Sequence, residues 1–243
     1  MSTFSNHTDP AGSLAHLEET AKATSRYLQA LTFLKDEDLR APSLLPGWSR
    51  GHVVTHVARN ADGLRNLLVW ARTGVQTPQY VSWEQRDIDI DSGAGRPLSE
   101  LLEDSRTSAG RFMEEVARLE GDHWDAPVRT LSSTSPFPAR DVLTSRRTEV
   151  EVHHADLGSG YTAADWPTDF TEMMIGRVQD DRTDGPSMVL SSTDTPGLWK
   201  FGHGQGPEIR GTKADLAWWV IGRGDGAGLV SSIGVLPRLG KWR

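Results

Sequence analysis

The sequence contains no cysteine, and this excludes every function that depends on a protein thiol. Its 243 residues can form no disulfide framework, no thiolate-bound structural zinc site and no cysteine nucleophile. Any thiol chemistry must therefore come from a bound small molecule. An excess of basic residues is missing as well. The formal net charge is −7 and the sequence pI is about 5.6, which argues against a general binder of nucleic acid or of anionic membranes.

Long apolar runs are also missing. No part of the sequence reaches the roughly 20 apolar residues that a membrane span requires. Residues 1–10 lack the basic start and the apolar core of a signal peptide. We therefore expect a cytoplasmic protein that binds neither membranes nor nucleic acid.

Apolar residues spaced three and four apart predict four long helices in the first two thirds of the chain. These helices cover residues 13–34, 49–73, 97–121 and 140–157. Such a set favours an antiparallel bundle, whose interior commonly carries metal ligands. The stretch around Arg86, after the second helix, is predicted to be a loop.

The last third of the chain has a different pattern. Two helices are predicted, at residues 170–178 and 213–222. Short apolar stretches bounded by glycine and proline predict strands at residues 187–191, 197–201, 207–210 and 229–232. This mixture is typical of a small α+β domain. The predicted division is residues 1–160 and 161–243.

A candidate metal site is visible in the spacing of three side chains. Glu149 and His153 lie four residues apart, so both project from one face of the fourth predicted helix. His56 shares the apolar face of the second predicted helix and is expected to point into the bundle, whereas His52 is interpreted as a supporting residue. Taken alone, His56 is more simply a hydrogen-bonded core histidine. Two imidazoles and one carboxylate would leave a coordination position open, as in catalytic zinc sites.

Three stretches of sequence resemble one family, the mycothiol-dependent maleylpyruvate isomerases. They are LPGWSRGHVVTHVARN at residues 45–60, TGVQTPQYVS at 73–82 and RTEVEVHHADLG at 147–158. The tail AWWVIGRGDG at 217–226 resembles the small C-terminal domain of the same family. The resemblance implies a DinB-like antiparallel four-helix bundle with a C-terminal α+β domain that completes the active-site cleft.

The resemblance also implies a ligand set and a reaction. His56, Glu149 and His153 would hold Zn²⁺ or another divalent metal, and mycothiol would be the thiol cofactor. The implied activity is cis–trans isomerisation of maleylpyruvate to fumarylpyruvate in gentisate degradation. It would proceed by thiolate addition, rotation about the resulting single bond and elimination.

A dianionic substrate needs cationic anchors, and two arginines are candidate catalytic residues. The resemblance implies that Arg223, in the Gly-Arg-Gly turn of the tail, reaches the active site. Arg86 is the second candidate. The simpler interpretations are that Arg223 caps the end of its helix and that Arg86 is a solvated charge.

Two other functions fit the same residues. One is a mycothiol S-transferase that acts on other electrophiles and consumes its thiol. The other is a non-catalytic zinc-binding protein, which would offer no open coordination position and no turnover. For the enzyme we expect a small dicarboxylate substrate, a thiol cofactor and a monomeric state.

Overall fold

The computed structural model describes residues 10–182, 185–239 and 242. The chain divides into two compact units, Met1–Ser159 and Gly160–Arg243. The prediction that residues 1–10 do not form a signal peptide concerns a segment of which residues 1–9 lie outside the described residues. None of the described helices combines the length and the hydrophobicity that a bilayer span requires.

The first unit is mainly helical. Its described α-helices are α1 (Pro10–Leu31), α2 (Asp36–Arg40), α3 (Arg50–Thr73), α4 (Trp83–Gly93), α5 (Leu98–Val116) and α6 (Asp141–Asp156). Helix α3 packs against α5 and α6, and α1 packs against the same two helices. A short antiparallel pair, β1 (Pro127–Val128) and β2 (Phe137–Pro138), lies between α5 and α6 in the chain. The four predicted long helices are therefore present, and the antiparallel bundle arrangement stays a prediction.

Helix α3 begins where the sequence predicts because Ser49 caps it. The Nδ1 atom of His52 lies 2.7 Å from the Ser49 hydroxyl oxygen and accepts a hydrogen bond from the Ser49 N–H at 3.2 Å. His52 therefore belongs to the helix cap, as its interpretation as a supporting residue suggested. One turn later, His56 is only 5% exposed and faces the interior.

Apolar packing fixes the part of α3 and α6 that carries the candidate ligands. Val53 and Val57 flank His56 on α3, and Val150 follows Glu149 on α6. All three valines are fully or almost fully buried in one cluster with residues of α1 and α5. Because the interior of a protein is close-packed, these neighbours restrict the orientation of the ligand side chains.

Helix α4 contradicts the prediction of a loop around Arg86. The helix is mostly polar and only Ile90 and Gly93 are buried, so the sequence carries no apolar periodicity there. The available signal was Ser82, whose hydroxyl accepts a hydrogen bond from the Gln85 N–H at 3.0 Å as the N-cap. Arg86 therefore lies in the first turns of a helix.

Two glycines of α3 allow this part of the chain to approach closely. A Cβ atom on Gly51 would overlap the carbonyl oxygen of Ala94, at the end of α4. A Cβ atom on Gly63 would lie 2.9 Å from ring atom Cε1 of Tyr80. Only glycine fits at either contact, so α4 and the segment before it rest on the helix that carries His56.

The end of α6 is held by hydrogen bonds from an earlier part of the chain. The Leu44 N–H donates to the carbonyl oxygen of Asp156 at 2.8 Å. Arg50 donates from Nε to the Leu157 carbonyl at 2.7 Å and from Nη2 to the Gly158 carbonyl at 2.9 Å. Carbonyls at the end of a helix lack partners within it, and this clamp supplies them.

The second unit is an α+β structure. It contains α7 (Thr168–Asp181), α8 (Lys213–Val220) and the strands β3 (Met188–Ser192), β4 (Leu198–Phe201), β5 (Glu208–Gly211) and β6 (Val230–Ser231). The sheet order is β4-β3-β5-β6. Strands β3 and β5 are parallel, and the two outer pairs are antiparallel. Each of the four predicted strands is present, with bounds that differ from the prediction by no more than one residue at either end.

Candidate metal centre

Three side chains converge between α3 and α6. The Nε2 atom of His56 lies 3.0 Å from Glu149 Oε2 and 3.0 Å from His153 Nε2. The third distance, from His153 Nε2 to Glu149 Oε2, is 3.4 Å. Within the described part of the chain, these residues form the one group of His, Asp and Glu side chains with the geometry of a metal site.

These spacings fit a divalent cation. Ligand atoms about 2.0–2.1 Å from a tetrahedral zinc are separated by about 3.3–3.4 Å from one another. The observed separations of 3.0 to 3.4 Å are close to that value, so a cation can sit just outside the plane of the three atoms. The set of two nitrogens and one oxygen suits zinc and also other divalent ions.

Asp156 supports His153, and sequence reasoning missed it. The Nδ1–H group of His153 donates to Asp156 Oδ2 at 2.9 Å, and the carboxylate is completely buried. A carboxylate can only accept here, so the ring proton is held on Nδ1 and Nε2 is directed toward the other two ligands. The available signal was spacing, because a residue three positions later on a helix lies on the same face.

The charges of the three ligands depend on one another. Burial lowers the pKa of His153, but the hydrogen bonds with Asp156 and Glu149 outweigh it and raise this pKa to about 9. Burial and the neighbouring charge of His153 lower the pKa of His56 to about 4. Burial raises the pKa of Glu149, yet the hydrogen bonds from both histidines hold it well below its usual range. At neutral pH the metal-free site thus contains a carboxylate, an imidazolium and a neutral imidazole.

Arg86 lies directly against the group of ligands. Its Nη2 atom donates to His56 Nδ1 at 3.0 Å. Its guanidinium carbon lies 5.9 Å from the ring centroid of Trp48, 5.9 Å from that of Tyr80 and 5.7 Å from that of Trp83. The simpler interpretation of Arg86 as a solvated loop charge is therefore wrong, because the side chain contacts a candidate ligand.

A second buried arginine lies one turn from the ligands on α6. Arg146 is 2% exposed and donates from Nη1 to the Val57 carbonyl at 2.8 Å and to Asn60 Oδ1 at 3.0 Å. Burial lowers its pKa to about 10, and the nearby Glu149 carboxylate opposes that change. Its charge therefore favours the ionised form of Glu149. Sequence reasoning missed this residue, although its position three residues before Glu149 places it on the same face of α6.

Arg223 lies in the second unit, in the turn that ends α8. Gly222 has a φ of 79°, and its N–H donates to the Trp219 carbonyl at 2.9 Å. The N–H of Arg223 donates to the Trp218 carbonyl at 3.0 Å. These main-chain hydrogen bonds close the end of the helix.

The chain is similar to a known protein over its full length. The family model described as mycothiol maleylpyruvate isomerase N-terminal domain matches residues 17–158. A crystal structure of the mycothiol-dependent maleylpyruvate isomerase superposes with a TM-score of 0.89 at 30% sequence identity, covering 100% of each chain. A histidine-to-alanine variant of that isomerase gives the same values. A search of curated proteins finds no match to the sequence.

Proposed function

The chain belongs to the family of the mycothiol maleylpyruvate isomerase N-terminal domain, and we propose that it is a metal- and mycothiol-dependent isomerase that converts maleylpyruvate to fumarylpyruvate. We include in this proposal its cytoplasmic location and its role in gentisate degradation. The observation that carries the proposal is the convergence of His56, Glu149 and His153, with a separation of 3.0 Å between the two Nε2 atoms. Because the chain has no cysteine, thiol chemistry at this site requires an external thiol, and the family description names mycothiol.

We assign the metal to these three residues, with zinc as the proposed ion. When bound, a divalent cation with an open position would lower the pKa of a thiol and so provide a thiolate at neutral pH. His56 and His153 contribute neutral nitrogens, and Glu149 contributes the negative charge. Asp156 keeps the proton of His153 on the nitrogen that faces away from the cation.

We assign the binding of the substrate carboxylates to Arg86 and Arg223. Support for Arg86 comes from its position, because the guanidinium donates to His56 Nδ1 at 3.0 Å. Support for Arg223 comes from its Gly-Arg-Gly turn, which resembles the corresponding part of the family's C-terminal domain. A guanidinium can bind a carboxylate through two parallel hydrogen bonds, which orients the substrate as well as attracting it.

Turnover of maleylpyruvate by the purified zinc-loaded protein, with and without mycothiol, tests the proposal. We expect conversion to fumarylpyruvate that requires mycothiol and leaves its concentration unchanged. Consumption of the thiol together with formation of a conjugate would replace isomerisation by S-transfer. Absence of turnover with every thiol and electrophile, with zinc bound, would indicate a non-catalytic zinc protein.

A further inference from the structure

Arg86 is enclosed by aromatic rings that come from two separate parts of the chain. Trp48 precedes α3, Tyr80 lies in the segment before α4, and Trp83 is the first residue of α4. All three ring centroids lie within 6 Å of the guanidinium carbon. This is the distance at which the face of an aromatic ring attracts a cation.

The aromatic rings restrict Arg86 more than its ion pair does. Its carboxylate partner, Asp87, is the next residue, lies 2.6 Å from Arg86 Nη1 and has 62% of its side chain exposed. An exposed ion pair of this kind contributes little, because water screens it and competes for both groups. The Arg86 side chain, by contrast, is only 17% exposed. A carboxylate from a ligand can therefore replace Asp87 while the rings hold the guanidinium in place.

A second donor of Arg86 becomes available when the site holds a cation. At present Nη2 donates to His56 Nδ1. A neutral imidazole that binds a cation through Nε2 carries its proton on Nδ1, and such a nitrogen no longer accepts a hydrogen bond. The Nη2 donor then needs another acceptor, and a carboxylate fits a guanidinium better than any other side-chain or ligand group.

The segment that carries Tyr80 is fixed in turn. Gly63 leaves just enough space on α3 for the Tyr80 ring, and the ring centroids of Tyr80 and Trp83 are 6.1 Å apart. Burial raises the pKa of Tyr80 to about 12, against opposing hydrogen bonds with Arg86 and Asn60. Tyr80 is thus a neutral side chain that contacts both Arg86 and the helix of His56.

We propose that Trp48, Tyr80 and Trp83 position Arg86 as the carboxylate-binding group next to the metal centre. The three rings set the affinity of this site for a small dicarboxylate. The inference rests on the proposed function only for the identity of the natural dicarboxylate.

Binding of maleate, a cis dicarboxylate, tests this inference independently of turnover when no thiol is present, because isomerisation by the proposed route needs a thiolate. The titrations use isothermal calorimetry of the zinc-loaded wild type and of the Trp83→Phe and Trp83→Leu variants. Trp83 suits the experiment because it is 47% exposed, so its replacement should not disturb the core. Ile88→Ala is the matched control, since it shortens another half-exposed apolar side chain of α4, which is 51% exposed.

We expect Trp83→Leu to raise the maleate Kd by about 3- to 30-fold, and Trp83→Phe to give an intermediate value because a smaller ring still attracts the cation. Ile88→Ala should stay within about twofold of the wild type, and the zinc content of all four proteins should be equal. In turnover, KM should follow the same order with kcat unchanged.

Three results would overturn the inference: no maleate binding by the wild type, an unchanged Kd in Trp83→Leu, or an equal loss in the Ile88→Ala control. A graded loss of maleate binding without any turnover of maleylpyruvate would have another meaning. It would refute the proposed isomerase and leave the role of the rings supported.

Discussion

The Nδ1 atom of His153 lies 2.9 Å from Oδ2 of Asp156, and both residues lie on α6 with the carboxylate completely buried. This hydrogen bond fixes Nδ1 of the imidazole as a donor and leaves Nε2 for a cation. The opposite holds at His56, whose Nδ1 atom faces the cationic Arg86 at 3.0 Å. The two histidines therefore have supports of opposite charge.

Replacement of Asp156 by asparagine should weaken metal binding by about 10- to 100-fold, because a neutral amide accepts the Nδ1–H hydrogen bond of His153 more weakly than a carboxylate, and its NH2 group can donate to Nδ1 and favour the wrong tautomer. Competition with a chromophoric chelator measures the affinity directly. Glu151→Gln is a matched control, since Glu151 is also a buried carboxylate of α6 but pairs with Arg26. Equal metal affinity in wild type and Asp156→Asn would refute this supporting role.

Metal binding should release one proton near neutral pH. The pKa of His153 is raised to about 9 and that of His56 is lowered to about 4, so between these values only His153 carries a proton that the metal must displace. The metal association constant should therefore increase about tenfold per pH unit in this range and level off above pH 9. Calorimetry in buffers of different ionisation enthalpy counts the released proton. Release of no proton, or of two, at pH 7 would contradict the assignment.

The metal-free protein should show the matching pH dependence in its stability. A folded-state pKa above the unfolded value of about 6.5 means that protonated His153 stabilises the fold below that pH. This contribution is lost as the pH rises from about 6.5 through 9. Thermal unfolding of chelator-treated protein over that range should reveal it, and the loss should be smaller in His153→Gln, which has no titrating ring.

Arg223→Ala should raise the KM for a dicarboxylate substrate, or lower kcat, without loss of bound metal. Its helix should remain closed, since the main-chain N–H of residue 223, which the substitution keeps, donates to the Trp218 carbonyl. Kinetics and metal analysis of the same preparation provide the two readouts. Loss of zinc in this variant would mean that Arg223 is not a substrate anchor.

Gly63→Ala should loosen the contact between α3 and Tyr80. The added Cβ would lie 2.9 Å from the Tyr80 ring, so the ring must move, at a cost of about 1–3 kcal/mol in unfolding free energy. Gly110→Ala is the matched control, because it lies in helix α5 with no atom within 4 Å of the new methyl group. That control should be neutral or stabilising by up to about 1 kcal/mol. Equal melting temperatures for the two variants would show that the Gly63 contact is soft.

The sequence predicted the elements whose local signals are strong. Helix α3 carries the Ser49 cap and a glycine end at Gly74, and its apolar face repeats throughout. The strands of the second unit were recognisable because glycine and proline separate short apolar stretches. Helix α4 lacks such a pattern. It is mostly polar, and its sequence does not indicate which part of the protein it contacts.

The candidate site divides in the same way. Glu149 and His153 were predictable from their spacing within one helix, and His56 from its position on the apolar face of another. The resemblance to a known family then favoured ligation by His56 over a role as a core histidine. The three aromatic rings around Arg86 were not predictable as a group, because they meet only through the close approach of separate segments at Gly63 and Gly51. Steric complementarity of this kind between distant residues leaves no periodic trace in the sequence.

The hydrogen bonds that hold the end of α6 should tolerate substitutions at some of their residues and not at others. Their acceptors are main-chain carbonyls at residues 156–158, so a change of side chain at Leu157 leaves the acceptor in place. Their donors are not equivalent in this respect, because one side chain, Arg50, supplies two of them. Substitution of Leu157 should therefore be tolerated if the new side chain fits the core. Any replacement of Arg50 would instead remove the donors of two carbonyls next to the last turn of α6, which carries His153.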